Sequence, residues 1–327
     1  TLRQIDFMPD LVHINDWHTG LIPLYLKKFY SDLNVKTVLT IHNLRHQGKF
    51  SHFCFNDVFG FMDDQYYLSL LEFEGCLNTL KAGIMASAFI TTVSPNYAEE
   101  IKNPYFSEGL TEVINYRAKN LKGILNGIPY APEEFYEDGA TEEAFAVSPD
   151  RLLAFKKEKK AELQRKIGVQ ENPDIPLVSV VTRLDRQKGL DLILHVLDEL
   201  MKQDIQFVVL GTGEEKYESA FRRFASKYPN KFSANILFDS KFADQVYAGS
   251  DLFLMPSEFE PCGLSQLLAM HYGTVCVVRE TGGLFDTVKP YNKYDGSGWG
   301  FSFGNFNAHE LLYTTTNALE IYRNNKE

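Results

Sequence analysis

The chain has 327 residues, of which 44% are hydrophobic and 23% charged, and its net charge is −10. That length exceeds what one core usually holds, so two domains are expected, and the apolar content excludes a disordered chain. The acidic balance argues against a nucleic-acid or anionic-membrane surface but leaves room for a local basic pocket that takes a small anion.

Short β-rich apolar runs alternate with longer helical patterns, as in parallel α/β proteins. In the first part, strands are expected at Leu11–Ile14, Thr37–Ile41, Phe89–Val93 and Leu121–Leu125, and helices over His18–Tyr30, Leu77–Met85 and Pro95–Ile101. Between Ile128 and Pro176 the chain turns acidic and polar and then continues as a charged segment, RLLAFKKEKKAELQRKIG. This reads as a solvated linker followed by a surface helix, with KKEKK on its wet face. The domain boundary falls here, giving an N-terminal domain at 1–135 and a C-terminal domain at 136–327. In the second part, strands are expected at Leu177–Val181, Gln206–Leu210, Asn235–Phe238, Leu252–Met255, Val275–Val278 and Gly300–Phe303. After Gly189, the residues Ile193, Val196, Leu197, Leu200 and Met201 recur at the spacing of one buried helical face. Six strands make a complete doubly wound sheet, whereas four in the first half suggest a domain that lacks its N-terminal strands.

No apolar run approaches the roughly 20 residues of a membrane span. The four cysteines, Cys54, Cys76, Cys262 and Cys276, form no CxxC pair and no metal-ligand spacing, which fits free thiols in a reducing cytoplasm.

The polar residues worth following stand where strands end, because open α/β sheets bind ligands outside the carboxyl ends of their strands. In TRLDRQKG, Arg183 offers a planar fork for phosphate oxygens and Lys188 a mobile point charge. In SEFEPCGL, Glu260 can accept hydrogen bonds from sugar hydroxyls or cap the next helix; Cys262, Gly263 and Leu264 follow it. In ETGGL, Thr281, Gly282 and Gly283 open a helix whose first N–H groups are expected to be free for a phosphate. Gly211 and Gly213 form GxG without the third glycine of a dinucleotide fingerprint, and read as a tight turn near a nucleotide, not as an NAD site. In the first half, HINDWHTG and TIHNLRHQG place Asp16, His18, His42 and Asn43 at two strand ends, and LNGI adds Asn126 at a third.

The segments DWHTGL, IHNLRHQG, EFEG, TTVSPNYAEEI, LNGI, TRLDRQKGLDL, FEPCGLSQL and TGGL, taken in this order between Pro9 and Phe303, resemble the glycogen and starch synthases of glycosyltransferase family 5. The resemblance implies a GT-B fold, two Rossmann-like domains facing across a cleft, with the last helix free to return to the first domain. It implies a retaining transfer of glucose from ADP-glucose to the non-reducing end of an α-1,4-glucan, with the nucleotide sugar and the glucan as partners and neither metal nor cofactor. On this resemblance Arg183 and Lys188 hold the diphosphate, and Glu260 lies near the donor glucose with Cys262 and Gly263 beside it. Gly283 and its neighbours face phosphate, His42 lies near the reacting centre, and Asp16 and Asn126 line the glucose site. Family 4 enzymes carry a second Glu where this chain has Leu268. The KxGGL loop that opens family 5 enzymes is not in the sequence, so a fragment with an incomplete first domain is expected. A family 4-like transferase of other sugars and a non-catalytic glucan-binding remnant stand as alternatives.

Overall fold

The computed structural model describes residues 7–128 and 149–324, and the chain divides into two compact units, Thr1–Asn126 and Gly127–Glu327. The expected boundary at 135/136 lies outside the described residues.

The first unit runs β1 (Leu11–Asn15), a 3₁₀ turn (Trp17–Thr19), α1 (Ile22–Phe29), β2 (Lys36–Ile41), β3 (Lys49–Phe50), α2 (Cys54–Asp57), α3 (Gln65–Leu71), β4 (Glu72–Phe73), β5 (Cys76–Asn78), α4 (Thr79–Ala86), β6 (Phe89–Thr92), α5 (Pro95–Glu100), α6 (Thr111–Tyr116) and β7 (Leu121–Gly123). Its main sheet has the order β1-β2-β6-β7, parallel throughout, at the four positions expected from the sequence. Leu39 faces Ile14 on one side and Ile90 on the other, and together with Ile41, Leu80 and Ile84 they form the core.

Two helices differ from expectation. The run His18–Tyr30 is not one helix, because the Thr79 hydroxyl donates to the Trp17 carbonyl at 2.9 Å and the chain turns at Gly20 before α1 begins. The run Leu77–Met85 begins as a strand: β5 pairs antiparallel with β3 and β4, and α4 starts only at Thr79. Asn78 ends the strand and caps the helix, its side chain accepting from Lys81 N at 2.9 Å. The third, α5, begins where expected, with Ser94 accepting from Tyr97 N at 2.8 Å.

The second unit runs α7 (Pro149–Ile167), β8 (Leu177–Val181), α8 (Leu190–Met201), β9 (Gln206–Leu210), α9 (Glu215–Lys227), β10 (Phe232–Asn235), α10 (Ser240–Gly249), β11 (Leu252–Met255), α11 (Ser265–His271), β12 (Val275–Arg279), α12 (Gly282–Thr287), β13 (Gly300–Phe303) and α13 (Ala308–Asn324). The six strands are parallel in the order β10-β9-β8-β11-β12-β13. Chain order therefore reverses between β8 and β11, which makes their carboxyl ends the topological switch point of the sheet. Helix α8 buries Ile193, Val196, Leu197, Leu200 and Met201, as its spacing predicts. Helix α13 places Leu311, Ala318 and Leu319 in the same core.

One strand lies three residues earlier than the sequence suggests. Phe232 stacks on Phe207 at 5.2 Å between ring centroids and is 2% exposed, so β10 is Phe232–Asn235 and not Asn235–Phe238. Asp239 caps α10 by accepting from Phe242 N at 2.9 Å, which leaves Phe238 in a loop and 90% exposed.

The KKEKK segment also departs from its reading as a wet face. Lys156 and Lys160 are one turn apart on α7 and both point inward. The Lys160 ammonium pairs with Asp251 at 2.7 Å, and Asp251 also accepts from Leu177 N and the Tyr322 hydroxyl. The Lys156 ammonium donates to Ala248 O at 2.7 Å, Ser250 O at 2.5 Å and the Thr274 hydroxyl at 2.6 Å. Lys157 and Glu158 keep to the solvent side. No helix among the described residues is long and apolar enough to cross a membrane.

Burial lowers the Lys156 pKa to about 7. Between that value and the ordinary lysine range the unfolded chain binds more protons than the folded one, so the folded state gains stability as pH rises. Urea denaturation at pH 7 and at about pH 9 should show the native protein gaining on the Lys156→Met variant. A difference that does not change with pH would mean that the buried ammonium titrates as an exposed one.

Candidate functional site

In the second unit, the loops that follow β8 and β11 meet main chain to main chain at the reversal of strand order. Glu258 N donates to Gln187 O at 2.8 Å, and the Gln187 side-chain amide donates to Phe259 O at 3.2 Å. Gly189, at φ +69°, sits so close that a Cβ there would lie 1.9 Å from Pro256 O. No L side chain fits this position either by backbone conformation or by space.

This contact sends Lys188 toward Glu260. The ammonium lies 2.7 Å from Glu260 Oε2, and the Ser257 hydroxyl donates to the same oxygen at 3.0 Å. Glu260 is 6% exposed. A carboxylate so placed is held by its two donors, and the reading of Glu260 as a mere helix cap does not describe it. Arg183, on the same loop, behaves differently. Its Nε donates to Asp185 at 2.5 Å and its side chain is 62% exposed, so its remaining guanidinium nitrogens face outward. The structure thus brings Lys188 and Glu260 together and holds Arg183 on Asp185 instead.

The ETGGL turn corrects an expectation. Its N–H groups are not a free run: Gly283 N donates to Glu260 O at 3.0 Å, and Leu284 N and Phe285 N donate to Thr281 O. The two glycines serve close packing, since a Cβ on Gly282 would stand 2.0 Å from Glu260 O and one on Gly283 would stand 2.0 Å from Cys262 O. Among the described residues, the N–H groups of Ser265, Gln266 and Leu267, the first turn of α11, have no partner. The Gln266 side-chain amide secures that turn by donating to Cys262 O and Gly263 O, each at 3.0 Å. Cys262 is buried and Leu264 half-exposed. Gly211 and Gly213 extend the β8–β9 pairing outward, with Leu184 N donating to Thr212 O at 2.8 Å and Glu214 N to Leu184 O at 2.7 Å. They brace the loop that carries Arg183.

Sequence reasoning did not single out Asp185, Ser257, Arg279 or Phe238. Arg279 is 7% exposed and donates to Glu258 O at 2.9 Å, clamping the loop that carries Glu260. An arginine closing the apolar run VCVVR was the available signal, since a charge seldom ends a buried strand without a partner. Phe238 was hidden by the strand assignment, which put it at the end of Asn235–Phe238 and not in a loop.

In the first unit, the carboxyl ends of β1 and β2 carry a second polar cluster. Asp16 Oδ1 accepts from His42 N at 2.8 Å, and His42 Nε2 lies 2.9 Å from Asn15 Oδ1. Asp16 adopts φ +54°, which is costly for a residue with a Cβ and is characteristic of functional turns. His18 stacks on Trp17 at 3.9 Å between centroids, while Asn43 accepts from Arg45 N at 3.0 Å and closes the turn after His42. Asn126 lies three residues beyond β7, past the same end of the sheet. Among the described residues no group of His, Cys, Asp and Glu side chains is arranged to hold a metal ion.

The two α/β units with parallel sheets are those of a GT-B glycosyltransferase, the class shown by likeness to a solved structure. The structure is similar over 99% of this chain, and 68% of the other, to the catalytic domain of starch synthase IV from Arabidopsis thaliana bound to ADP and acarbose, with a TM-score of 0.83 and 29% identity. Residues 1–116 match the starch synthase catalytic domain, and residues 160–320 match the glycosyl transferases group 1. The chain is 48% identical over 98% of its length to the glycogen synthase of Desulfitobacterium hafniense and 44% identical over 100% to that of Clostridioides difficile, covering 66% and 68% of those proteins. It belongs to the glycogen synthase family, and spans about two thirds of the length of the curated relatives it matches.

Because Lys188 and Glu260 are both largely buried, removing one strands the other. Lys188→Ala should lower unfolding free energy by about 2–3 kcal/mol, below the roughly 3–5 kcal/mol of a fully enclosed pair. Adding Glu260→Gln to it should restore part of that loss, as read from denaturant midpoints. Additive losses would show that the two side chains do not depend on each other.

Proposed function

We propose that the protein transfers glucose from ADP-glucose to the non-reducing end of an α-1,4-glucan, with retention at the anomeric carbon. The observation that carries this reading is the 2.7 Å contact of Lys188 with the buried Glu260, on the loops where the strand order reverses. As the bond from the anomeric carbon to the diphosphate breaks, negative charge grows on the departing phosphate oxygen. Lys188 and the outward-facing Arg183 stabilise that charge, and the N–H groups of Ser265, Gln266 and Leu267 add oriented dipoles. The acceptor hydroxyl forms the new glycosidic bond, and its proton leaves with the diphosphate.

Glu260, held in place by Lys188 and Ser257, accepts hydrogen bonds from the hydroxyls of the donor glucose. In the first unit, the polar cluster of Asp16, His42, Asn43 and Asn126 offers hydrogen-bond partners to sugar hydroxyls. In the reaction as proposed, Lys188, Arg183 and the N–H groups of α11 face the diphosphate, with neither metal nor cofactor. Phe238, past the end of β10 and 90% exposed, offers a flat apolar ring for the nucleobase. The binding of ADP by starch synthase IV favours an adenine nucleotide as the donor. Among the described residues, Cys54, Cys76, Cys262 and Cys276 form no disulfide, which favours the reducing cytoplasm as the site of action.

The test is nucleotide release from ADP-glucose and from UDP-glucose with a glycogen primer. Arg183→Ala and Lys188→Ala should each lower turnover by about 10²–10³-fold, the usual loss of one transition-state charge partner. A wild-type rate in either variant would overturn the assignment. Phe238→Ala should raise KM for ADP-glucose by about tenfold or more and leave kcat nearly unchanged, since base–aromatic stacking is worth about 1–3 kcal/mol.

A further inference from the structure

At the amino end of the first sheet, away from Asp16 and His42, lies a cavity of about 720 Å³. Lys27 from the last turn of α1, Lys36 at the start of β2 and Arg117 just after α6 stand in its wall, with Ser87, Tyr116 and Asn120. The wall holds three cations and no Asp or Glu, in a chain whose net charge is −10. Such a local reversal of sign needs a cause.

Part of it is architectural. Arg117 donates to Met85 O at 2.9 Å and Ser87 O at 2.6 Å, and so caps the carboxyl end of α4. That accounts for Arg117 and leaves the lysines unexplained. Neither Lys27 nor Lys36 has a hydrogen-bond or ion-pair partner among the described residues, and both are exposed. Among the described residues, Ser87 Oγ, in a residue only 2% exposed, and Arg117 Nε are shut away without a partner. Lys27 is exposed as a residue but partly desolvated along this wall; that desolvation first, and the nearby Arg117 charge second, lower its pKa.

We propose that this cavity binds a small phosphate monoester, with its phosphate among Lys27, Lys36 and Arg117 and its organic part against Tyr116. A monoester is close to a dianion at neutral pH and offers three strong acceptor oxygens. The cavity falls in the range of small-molecule sites, about 300–1,000 Å³, well beyond what inorganic phosphate alone fills. Tyr116, 76% exposed, presents its ring to the body of the ligand, and Ser31 and Thr37 add hydroxyls. The site lies wholly in the first unit and does not depend on the donor site proposed above.

Isothermal titration of the purified chain with inorganic phosphate, glycerol 3-phosphate, a hexose monophosphate and the free hexose tests it. Saturable binding of a monoester is expected, tighter than that of inorganic phosphate, with none to the free hexose. The paired substitution Lys27→Ala and Lys36→Ala should weaken it by at least about tenfold, or about 1.4 kcal/mol. Arg183→Ala should leave it unchanged, and ADP should not compete. If the alanine pair lowers the melting temperature of the free protein, the glutamine pair at the same positions should show the same weakening with the fold kept. Absence of saturable binding by any monoester, loss of binding in Arg183→Ala, competition by ADP, or equal affinity for inorganic phosphate would each overturn the proposal.

Discussion

The second unit depends on a contact that leaves no room for side chains. Where the loops after β8, β11 and β12 converge, main chain lies on main chain, and Gly189, Gly282 and Gly283 are the residues that allow it. Adding a single Cβ would place it within about 2 Å of a carbonyl oxygen at each, a separation that hard-sphere repulsion forbids. Because the loops cannot part, Lys188 and Glu260 are held at 2.7 Å without relying on their own flexible side chains. Preorganisation of this kind is what electrostatic catalysis requires, since donors already in place need no reorganisation when charge develops.

Buried lysines recur at the other end of the same sheet, with a different physical basis. Lys160 meets the carboxylate of Asp251, which ties the starts of β8 and β11 to α7 and α13. Lys156 meets neutral oxygens, and their dipoles only partly replace the water that it has lost, which is why its pKa falls. One end of the sheet therefore spends its buried charge on locking helices in place. The other end keeps a charge pair beside an exposed arginine, where a diphosphate can enter the balance.

The first unit shows the same division between its two ends. Its carboxyl end gathers Asp16, Asn15 and His42 through a strained aspartate, while its amino end gathers cations at the ends of helices α1 and α6 and at the start of β2. Strain at Asp16 persists because its backbone and side chain are each hydrogen-bonded, the N–H to Thr40 O and the carboxylate to His42 N.

Period and punctuation were enough to read ten parallel strands, nine of them close to their places, and the face of α8, because a buried strand or helix must repeat its apolar residues at its own period. The ordered segments from DWHTGL to TGGL were likewise enough to read the family, and they put Arg183, Lys188 and Glu260 at strand ends. Tertiary packing decided the rest. Phe232 rather than Phe238 entered the core because Phe207 was there to receive it, and Lys156 and Lys160 turned inward because carbonyls and Asp251 awaited them. The glycines of ETGGL became packing residues because the carbonyls of Glu260 and Cys262 occupy the space that a side chain would need. Periodicity records only whether a position prefers oil or water, whereas a buried cation or a glycine answers to partners many residues away in the chain.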